Sequence, residues 1–512
     1  MPLRHLKALS TENISMPKKF YITTSIPYAN SASHVGHILD PLIADVLSRY
    51  HRMKGNEVRF LVGTDEHGAK IIRKAEEVGK TPQQLVDENS ANFREMHELL
   101  NIKWDDFIRT SNQKRHWPGA QKMWKELKEA GDIYWKKYRG LYCVGHEAFI
   151  TEKDLVNGKC QDHQKEPEVV NEENWFFRLS KYSKQIEDAI VSDKMKVRPE
   201  SRKNEILSFI RGGLEDISIS RPRKDIPWGV PVPDDPTQTM YVWLEALTSY
   251  LSSIGYGQED EQSKELLSKW WPADAQIVGK DNLRFHAAIF PGMLLSVGLE
   301  LPKEIFIHGF VNVNGQKISK TVGNVIAPKT IVDKYGVDPV RYFFLREFPS
   351  QDDGDFSYKK LEERYNGDLA NGLGNLVQRV ATLIENNMDS ELIYKPTTNN
   401  QQPTIYDNYK KAISEFRLHD ALGEIWKLVA GANKYIDDRK PWLETRESPE
   451  RFLETMTKLI YVIHCIAWLL QPFMPETSEK ITKIFGDDLS NKEILENYKF
   501  LVKKPEPIFP RI

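Results

Sequence analysis

At 512 residues the chain is too long for one hydrophobic core, so three or four domains are expected. With 40% hydrophobic and 28% charged residues, a mean hydropathy of -0.52 and no apolar run near the roughly 20 residues a spanning helix needs, the composition excludes a helical membrane protein. A net charge of -2 gives no global attraction for nucleic acid, so any RNA contact must come from local patches. The three cysteines, Cys143, Cys160 and Cys465, are too few for a disulfide scaffold and fit a reducing cytosol.

Residues 1–16 carry Arg4, His5, Lys7 and Glu12 without the apolar centre of a secretion signal, and read as a frayed tail. From Phe20 a β-branched and aromatic run predicts a buried strand, which empties into SIPYANSAS before a helix begins. In that helix Val35, Ile38, Leu39, Leu42, Ile43, Val46 and Leu47 recur at three- and four-residue steps, with Gly55 as the stop. VRFLVG reads as the next strand, running into TDEHG and a helix with Lys70, Lys74 and Glu77. The alternation predicts an α/β fold with a Rossmann-like parallel sheet over 17–111. Ligands of such sheets sit outside the carboxyl ends of the strands, which puts SIPYANSASHVGH and GTDEHG in one crevice.

Residues 112–225 read as a Lys-, Glu- and Trp-rich insertion with short strands or knuckles. The sheet is expected to resume over 226–310 with MYVWLEAL, QIVGKDN and IFIHGFV, followed by a loop segment over 311–365. From 366 to 512 the pattern predicts an all-α bundle; its greasiest stretch, Leu459 to Leu470, is broken by Tyr461, His464 and Trp468 and suits a buried or half-buried helix.

Two polar clusters carry the chemistry. His34, Val35, Gly36 and His37 open a helix that follows a strand, where backbone N–H groups and two imidazoles suit phosphate oxygens, and Gly36 lets a flat base approach the backbone. Lys317, Ile318, Ser319, Lys320 and Thr321 lie among Gly315, Gln316, Gly323 and Asn324, where two lysines flanking a serine suit a polyphosphate. Each alone fits a bland alternative, a structural helix start or a solvated basic turn. Their order, about 280 residues apart on either side of a continuing sheet, and the lack of a Walker loop or GxGxxG favour the chemical reading.

HVGH and KISKT resemble the HIGH and KMSKS signatures of class I aminoacyl-tRNA synthetases; Ile318 replaces a Met and Thr321 a Ser, while both lysines and the central Ser remain. From SIPYANSASHVGH to LLQPFMPETSEKI the chain is similar to methionyl-tRNA synthetases, with echoes at PYAN, GTDEHG, SISRPRKDIPWGVPVP, YVWLEAL, GKDNLRFH and DRKPW. That resemblance implies ATP-dependent activation of methionine, with Mg²⁺, and transfer to methionine-accepting tRNA, initiator tRNA included. It places Ile26, Tyr28, Trp243 and His286 around the methionine side chain, Asp65 at its ammonium group, Asp281 at the ATP ribose, and His34, Gly36, His37, Lys317, Ser319 and Lys320 at the nucleotide. Standing alone, Tyr28 and Trp243 read as core residues. Leucine, isoleucine and valine enzymes share the signatures but are much longer, because discrimination by one methylene needs an editing domain. A non-catalytic tRNA-binding paralogue is opposed by the intact signatures.

Cys143, His146, Cys160 and His163 form a CxxH, thirteen residues, CxxH pattern that suits a tetrahedral zinc knuckle; two unrelated cysteines and two surface histidines are the alternative. Many members of the family carry a cysteine-rich knuckle here and others have lost it; His146 stands where a Cys is more usual. In the bundle, Asn375 and Arg379 fall one helical turn apart and Trp442 follows DRKP; the resemblance makes all three anticodon contacts, with a buried core residue as the alternative for Trp442. Ending near 512 without the extra RNA-binding domain of dimeric relatives, the chain is expected to be a monomer in the cytoplasm.

Overall fold

The computed structural model describes residues 17–145, 148–150, 155–161, 164–319, 323–349, 352–387, 392–394, 403–486, 498–500, 502 and 505–512. Two compact units emerge: a sheet unit, Lys19–Ala44 with Asn56–Gly309, and a helical unit that takes in Asp45–Gly55 and Phe310–Ile512.

The sheet unit is built on six parallel strands in the order Asp106–Arg109, Glu57–Thr64, Lys19–Thr24, Ala275–Gly279, Glu304–His308, Lys196–Arg198. The first strand in sequence thus lies at the centre, and the order reverses beside it. That switch point opens a crevice at the carboxyl ends. The strands read as near-continuous apolar runs because both faces are covered: Tyr21, Ile22, Phe60, Leu61, Ile277, Val278, Ile305 and Ile307 are all buried.

Two expectations change here. Lys196–Arg198, inside the stretch read as an insertion, is the sixth strand of the sheet; three residues at an edge give too short a pattern to recognise. MYVWLEAL does not resume the sheet. Only Gln238–Met240 is a strand, in a separate pair with Ser220–Pro222, and Val242–Ser252 is a helix. Every residue of that helix except Trp243 is buried, so its apolar run has no amphipathic period and reads like an interior strand. The rest of the insertion combines an antiparallel sheet around the long pair Ile133–Cys143 and Glu168–Phe177 with the helices Trp117–Glu129, Ser183–Val191 and Glu200–Arg211.

In the helical unit a hairpin leads. Val311–Val313 pairs with Gln316–Lys317 across Asn314-Gly315, both at positive φ (51° and 74°), the two-residue turn that Asn-Gly favours. Helices then dominate to Phe485, and Pro328, Pro441, Pro449 and Pro475 each stand at the first position of one, where a missing N–H costs nothing. Pro449–Leu470 is long and apolar enough to cross a membrane by length and composition, yet over half of its apolar window is buried; it packs on Leu418–Arg439 and Pro475–Phe485 as a core helix. The bundle also holds a strand pair, Leu392–Tyr394 with Tyr498–Phe500, which helical periodicity did not foretell.

At the centre of this unit Arg341 is fully buried. Its guanidinium donates to Asp45 Oδ2 (2.7 Å) and to the carbonyls of Phe473 (2.8 Å) and Pro472 (3.0 Å).

Candidate active site

Four neighbouring parallel strands end at one edge of the sheet; three of them are followed by stretches singled out from the sequence, Ser25 to Tyr28, Asp65 to His67, and Lys280 and Asp281, and the fourth by Gly309. Tyr28 and Asp65 form an isolated parallel bridge, with Ala29 N–H donating to the Asp65 carbonyl (2.8 Å) and Asp65 N–H to that of Pro27 (2.9 Å). The two loops are therefore locked as a short extension of the sheet. Just before Asp65, Gly63 packs tightly against the neighbouring strand and the Ile26 side chain. A Cβ there would meet the Ile108 carbonyl oxygen at 2.3 Å and Ile26 Cγ2 at 3.1 Å.

From Tyr28 a run of aromatic contacts crosses the edge. Its ring meets Trp243 edge-on (6.0 Å, 81°), and Trp243 stacks flat on Phe285 (3.5 Å, 10°). Next to Phe285, His286 is buried; its Nδ1 faces the Asn282 carbonyl (3.0 Å) and its Nε2 the Tyr250 hydroxyl (2.7 Å). Burial lowers the His286 pKa to about 4, so the ring is neutral, with Nδ1–H donating to the carbonyl and Nε2 accepting from Tyr250. Phe285 and Tyr250 were missed from the sequence. Tyr250 lies seven residues after Trp243, on the same helix face, which is the one signal that points to it.

Asp65 is buried, and its neighbours fix the loop that carries it. Glu66 takes a bidentate pair from Arg109 (2.7 and 2.9 Å) and accepts from Thr64 Oγ1 (2.6 Å). His67 Nδ1 lies 2.9 Å from Glu245 Oε1, and the other oxygen of Glu245 meets His116 Nε2 at 2.7 Å. Burial would raise the Glu245 carboxyl, but the charges and hydrogen bonds of His67 and His116 outweigh it and hold it below the usual range.

His34 and His37 cap a short 3-10 turn, Val35–His37, ahead of helix Leu39–Met53. Gly36 N–H donates to His34 Nδ1 (3.1 Å) and His34 N–H to His37 Nδ1 (3.1 Å), with the two rings stacked at 3.9 Å. Burial, then the neighbouring His34, lowers the His37 pKa to about 3. With Nδ1 accepting, the neutral His37 ring keeps its proton on Nε2, so it offers an anion a hydrogen bond rather than a charge. Asp281 is exposed on the turn Lys280–Asn282, where Asn282 Nδ2 donates to its Oδ1 (3.3 Å).

In the helical unit Lys317 is exposed at the end of the hairpin, its ammonium 5.1 Å from the centre of the Phe310 ring. The loop is tied back by Ser319 N–H to Asn324 Oδ1 (2.8 Å), Asn324 Nδ2 to the Lys317 carbonyl (3.2 Å) and Gly323 N–H to the Ser319 carbonyl (3.0 Å). Lys320 and Thr321 lie outside the described residues. On the bundle, Asn375 Nδ2 reaches Asn433 Oδ1 (3.5 Å) and Arg379 pairs with Asp437 (2.7 Å). Trp442 is 46% exposed, which removes the buried-core alternative.

Cys143 and Cys160 are buried in one small cluster with Ile150, but His146 and His163 lie outside the described residues. Among the described residues no group of three or more His, Cys, Asp or Glu is placed to hold a metal ion.

A parallel sheet with its switch point at HVGH, followed by a lysine-rich loop and a helical bundle, defines the class I tRNA synthetases. The family model described as "tRNA synthetases class I (M)" matches residues 20–161 and 150–381, and that of the "Anticodon-binding domain of tRNA ligase" matches 404–509. The methionine–tRNA ligase of Thermotoga maritima is 40% identical over 96% of this chain and 80% of its own length; that of Brucella suis is 38% identical over 96% and 98%. The structure of Mycobacterium tuberculosis methionyl-tRNA synthetase in complex with methionyl-adenylate superposes with a TM-score of 0.89 at 36% identity, covering 96% of this chain and all of that one. The chain belongs to the methionine–tRNA ligases.

Proposed function

We propose that the chain activates methionine with ATP at the carboxyl edge of its sheet and passes the methionyl group to the 3′ end of tRNA, with the work divided among the residues described above. The observation that carries this division is the unbroken run Asp65–Tyr28–Trp243–Phe285 beside the buried His286–Tyr250 pair. It joins the backbone of a buried aspartate to a run of aromatic side chains. A methionine fits that pattern: its ammonium on Asp65, its thioether among Ile26, Tyr28, Trp243 and His286, where sulfur–aromatic contacts contribute about 0.3–1.5 kcal/mol.

The methionine carboxylate, with a pKa of about 3.5, is ionised at neutral pH and attacks the α-phosphorus without a general base. Catalysis is then positioning and charge stabilisation. His34 and His37 hold phosphate oxygens, Gly36 admits the base, Asp281 takes the ribose hydroxyls, and Lys317, Ser319 and Lys320 receive the polyphosphate, which brings Mg²⁺ with it. The attack on the α-phosphorus breaks its bond to the β-phosphate and releases pyrophosphate. In the second step the terminal ribose 2′-hydroxyl of tRNA attacks the adenylate carbonyl, the bond from that carbon to the phosphate oxygen breaks, and AMP leaves while the hydroxyl proton passes to solvent or phosphate. Asn375, Arg379 and Trp442 read the anticodon of methionine tRNA, initiator tRNA included; Arg379 exchanges Asp437 for a base edge.

Cys143, His146, Cys160 and His163 would together hold one structural zinc ion. The shared cluster of the two cysteines supports this, since soft thiolates with imidazoles suit that metal. The working species in this reading is a cytoplasmic monomer; that one chain carries every residue assigned a role, and that its cysteines are few, supports it.

Methionine-dependent ATP–pyrophosphate exchange, run beside leucine, valine, isoleucine and cysteine with Lys317→Ala as control, tests the division. Exchange with methionine alone, lost in the variant, is expected; exchange undiminished by Lys317→Ala overturns the assignment. Metal analysis of the purified protein and sedimentation velocity test the zinc and the monomer.

A further inference from the structure

His308 ends the strand Glu304–His308 and is buried beneath the site edge. Its Nε2 lies 2.6 Å from Asp40 Oδ1 and its Nδ1 2.8 Å from the Gly309 carbonyl oxygen. Both partners are acceptors. A neutral imidazole has one N–H and would set a lone pair against one of these oxygens, whereas an imidazolium satisfies both. The alternative, a protonated Asp40 donating to a neutral ring, is disfavoured by two features. Asp40 sits in the first turn of helix Leu39–Met53, where the helix dipole favours an anion, and its other oxygen accepts from Ser25 Oγ. Burial alone would lower the His308 pKa; the charge and hydrogen bond of Asp40, then the Gly309 carbonyl and Asp281, outweigh it and hold the pKa above the ordinary value.

The imidazole also borders Asp281. A Cβ built on Gly279 would fall 2.9 Å from Asp281 Oδ1 and 3.7 Å from His308 Cε1, so the carboxylate and the ring edge flank the same glycine. Asp281 is an exposed side chain on a turn, its Oδ1 also accepting from Asn282 Nδ2 (3.3 Å), and exposed side chains have rotamers to lose when they take a ligand. We propose that His308 is a positively charged positioning residue that holds Asp281 in the rotamer the ATP ribose requires, with Asp40 as its counter-ion. The charged groups facing it are Asp40, from the helix behind His37, and Asp281, from the turn after Gly279. This rests on the assignment of Asp281 to the ribose. Gly279 contributes because any side chain there would part the two.

Two measurements on the full chain test it. In ¹⁵N-histidine NMR the signal perturbed by Asp281→Asn is expected to show both ring nitrogens protonated at a pH where the histidines of the unfolded chain are mostly neutral; a neutral tautomer there overturns the inference. In pyrophosphate exchange His308→Gln is expected to raise KM for ATP roughly three- to tenfold, the scale of a partly exposed charge contact, with KM for methionine unchanged. His308→Lys, which keeps a cation, should retain part of that affinity. The double variant with Asp281→Asn should be no worse than Asp281→Asn alone. Equal rises in both KM values from His308→Gln indicate a merely structural role and overturn the inference. If Asp281→Asn leaves KM for ATP unchanged, the ribose assignment fails and the inference falls with it; if Asp281→Asn raises it and His308→Gln does not, the inference alone is lost.

Discussion

His67 Nδ1 is bonded to Glu245 Oε1 at 2.9 Å, so the loop that presents Asp65 is tied to the helix that presents Trp243. Both residues lie two positions beyond the group they help to place, and both are buried. Removing the carboxylate in Glu245→Ala leaves two buried imidazoles without their shared acceptor, a loss on the scale of about 3–5 kcal/mol. The expected outcome is a lower Tm together with a raised KM for methionine, read by calorimetry and by exchange at varied methionine.

Acid lability follows from the neutral histidines. The folded pKa values of His37, about 3, and His286, about 4, both lie below the unfolded value of about 6.5. Between these limits the unfolded chain binds more protons, so their contribution is intact above about pH 6.5 and falls as the pH drops towards 4. Each adds a slope of up to about 1.4 kcal/mol per pH unit. His286→Gln should remove one such slope, measured by urea unfolding from pH 5 to 7.

Close approach at Gly63 is a strict demand. Gly63→Ala puts a methyl group 2.3 Å from the Ile108 carbonyl and against Ile26, so the expected cost is about 1–3 kcal/mol. Because Ile26 is displaced with it, KM for methionine should rise more than KM for ATP.

Arg341 and Asp45 form a fully buried ion pair in the helical unit. Asp45 Oδ2 also accepts from Arg49 Nε (2.7 Å), so Arg341→Ala leaves the carboxylate with one cation and takes the donor from the Phe473 and Pro472 carbonyls; the expected loss is about 1–3 kcal/mol. Asp45→Ala, which leaves both guanidinium groups without their carboxylate, should cost more. Urea unfolding of the two variants checks the order.

Exposure of Trp442 makes it a surface for stacking rather than packing. Trp442→Ala should cut kcat/KM for tRNA by roughly 10- to 100-fold, the worth of one stacked base at about 1–3 kcal/mol, while leaving pyrophosphate exchange unchanged. Asp437→Ala, which releases Arg379 from its ion pair, should alter tRNA charging and not exchange.

Much of this molecule is written locally. The alternation of apolar strands and periodic helices foretold the parallel sheet; HVGH at a strand-to-helix transition, the polar tail of GTDEHG and the Asn-Gly hairpin before Lys317 are set by neighbours within a few residues. Turn chemistry and hydrophobic period are short-range properties, so the sequence by itself determined where these clusters occur and in what order, and that HVGH and GTDEHG follow strands of one sheet. Only the tertiary structure decided what each one meets. The strand Lys196–Arg198 was too brief to show a period, and the helix Val242–Ser252, buried on nearly every side, had none to show. Phe285 on Trp243, Tyr250 on His286, Glu245 between His67 and His116, and Asp40 on His308 are pairings across 36 to 268 positions, and no local pattern encodes them. They arise because parallel strands distant in sequence end side by side, and a buried polar group there takes whichever partner the packing of the core brings within reach.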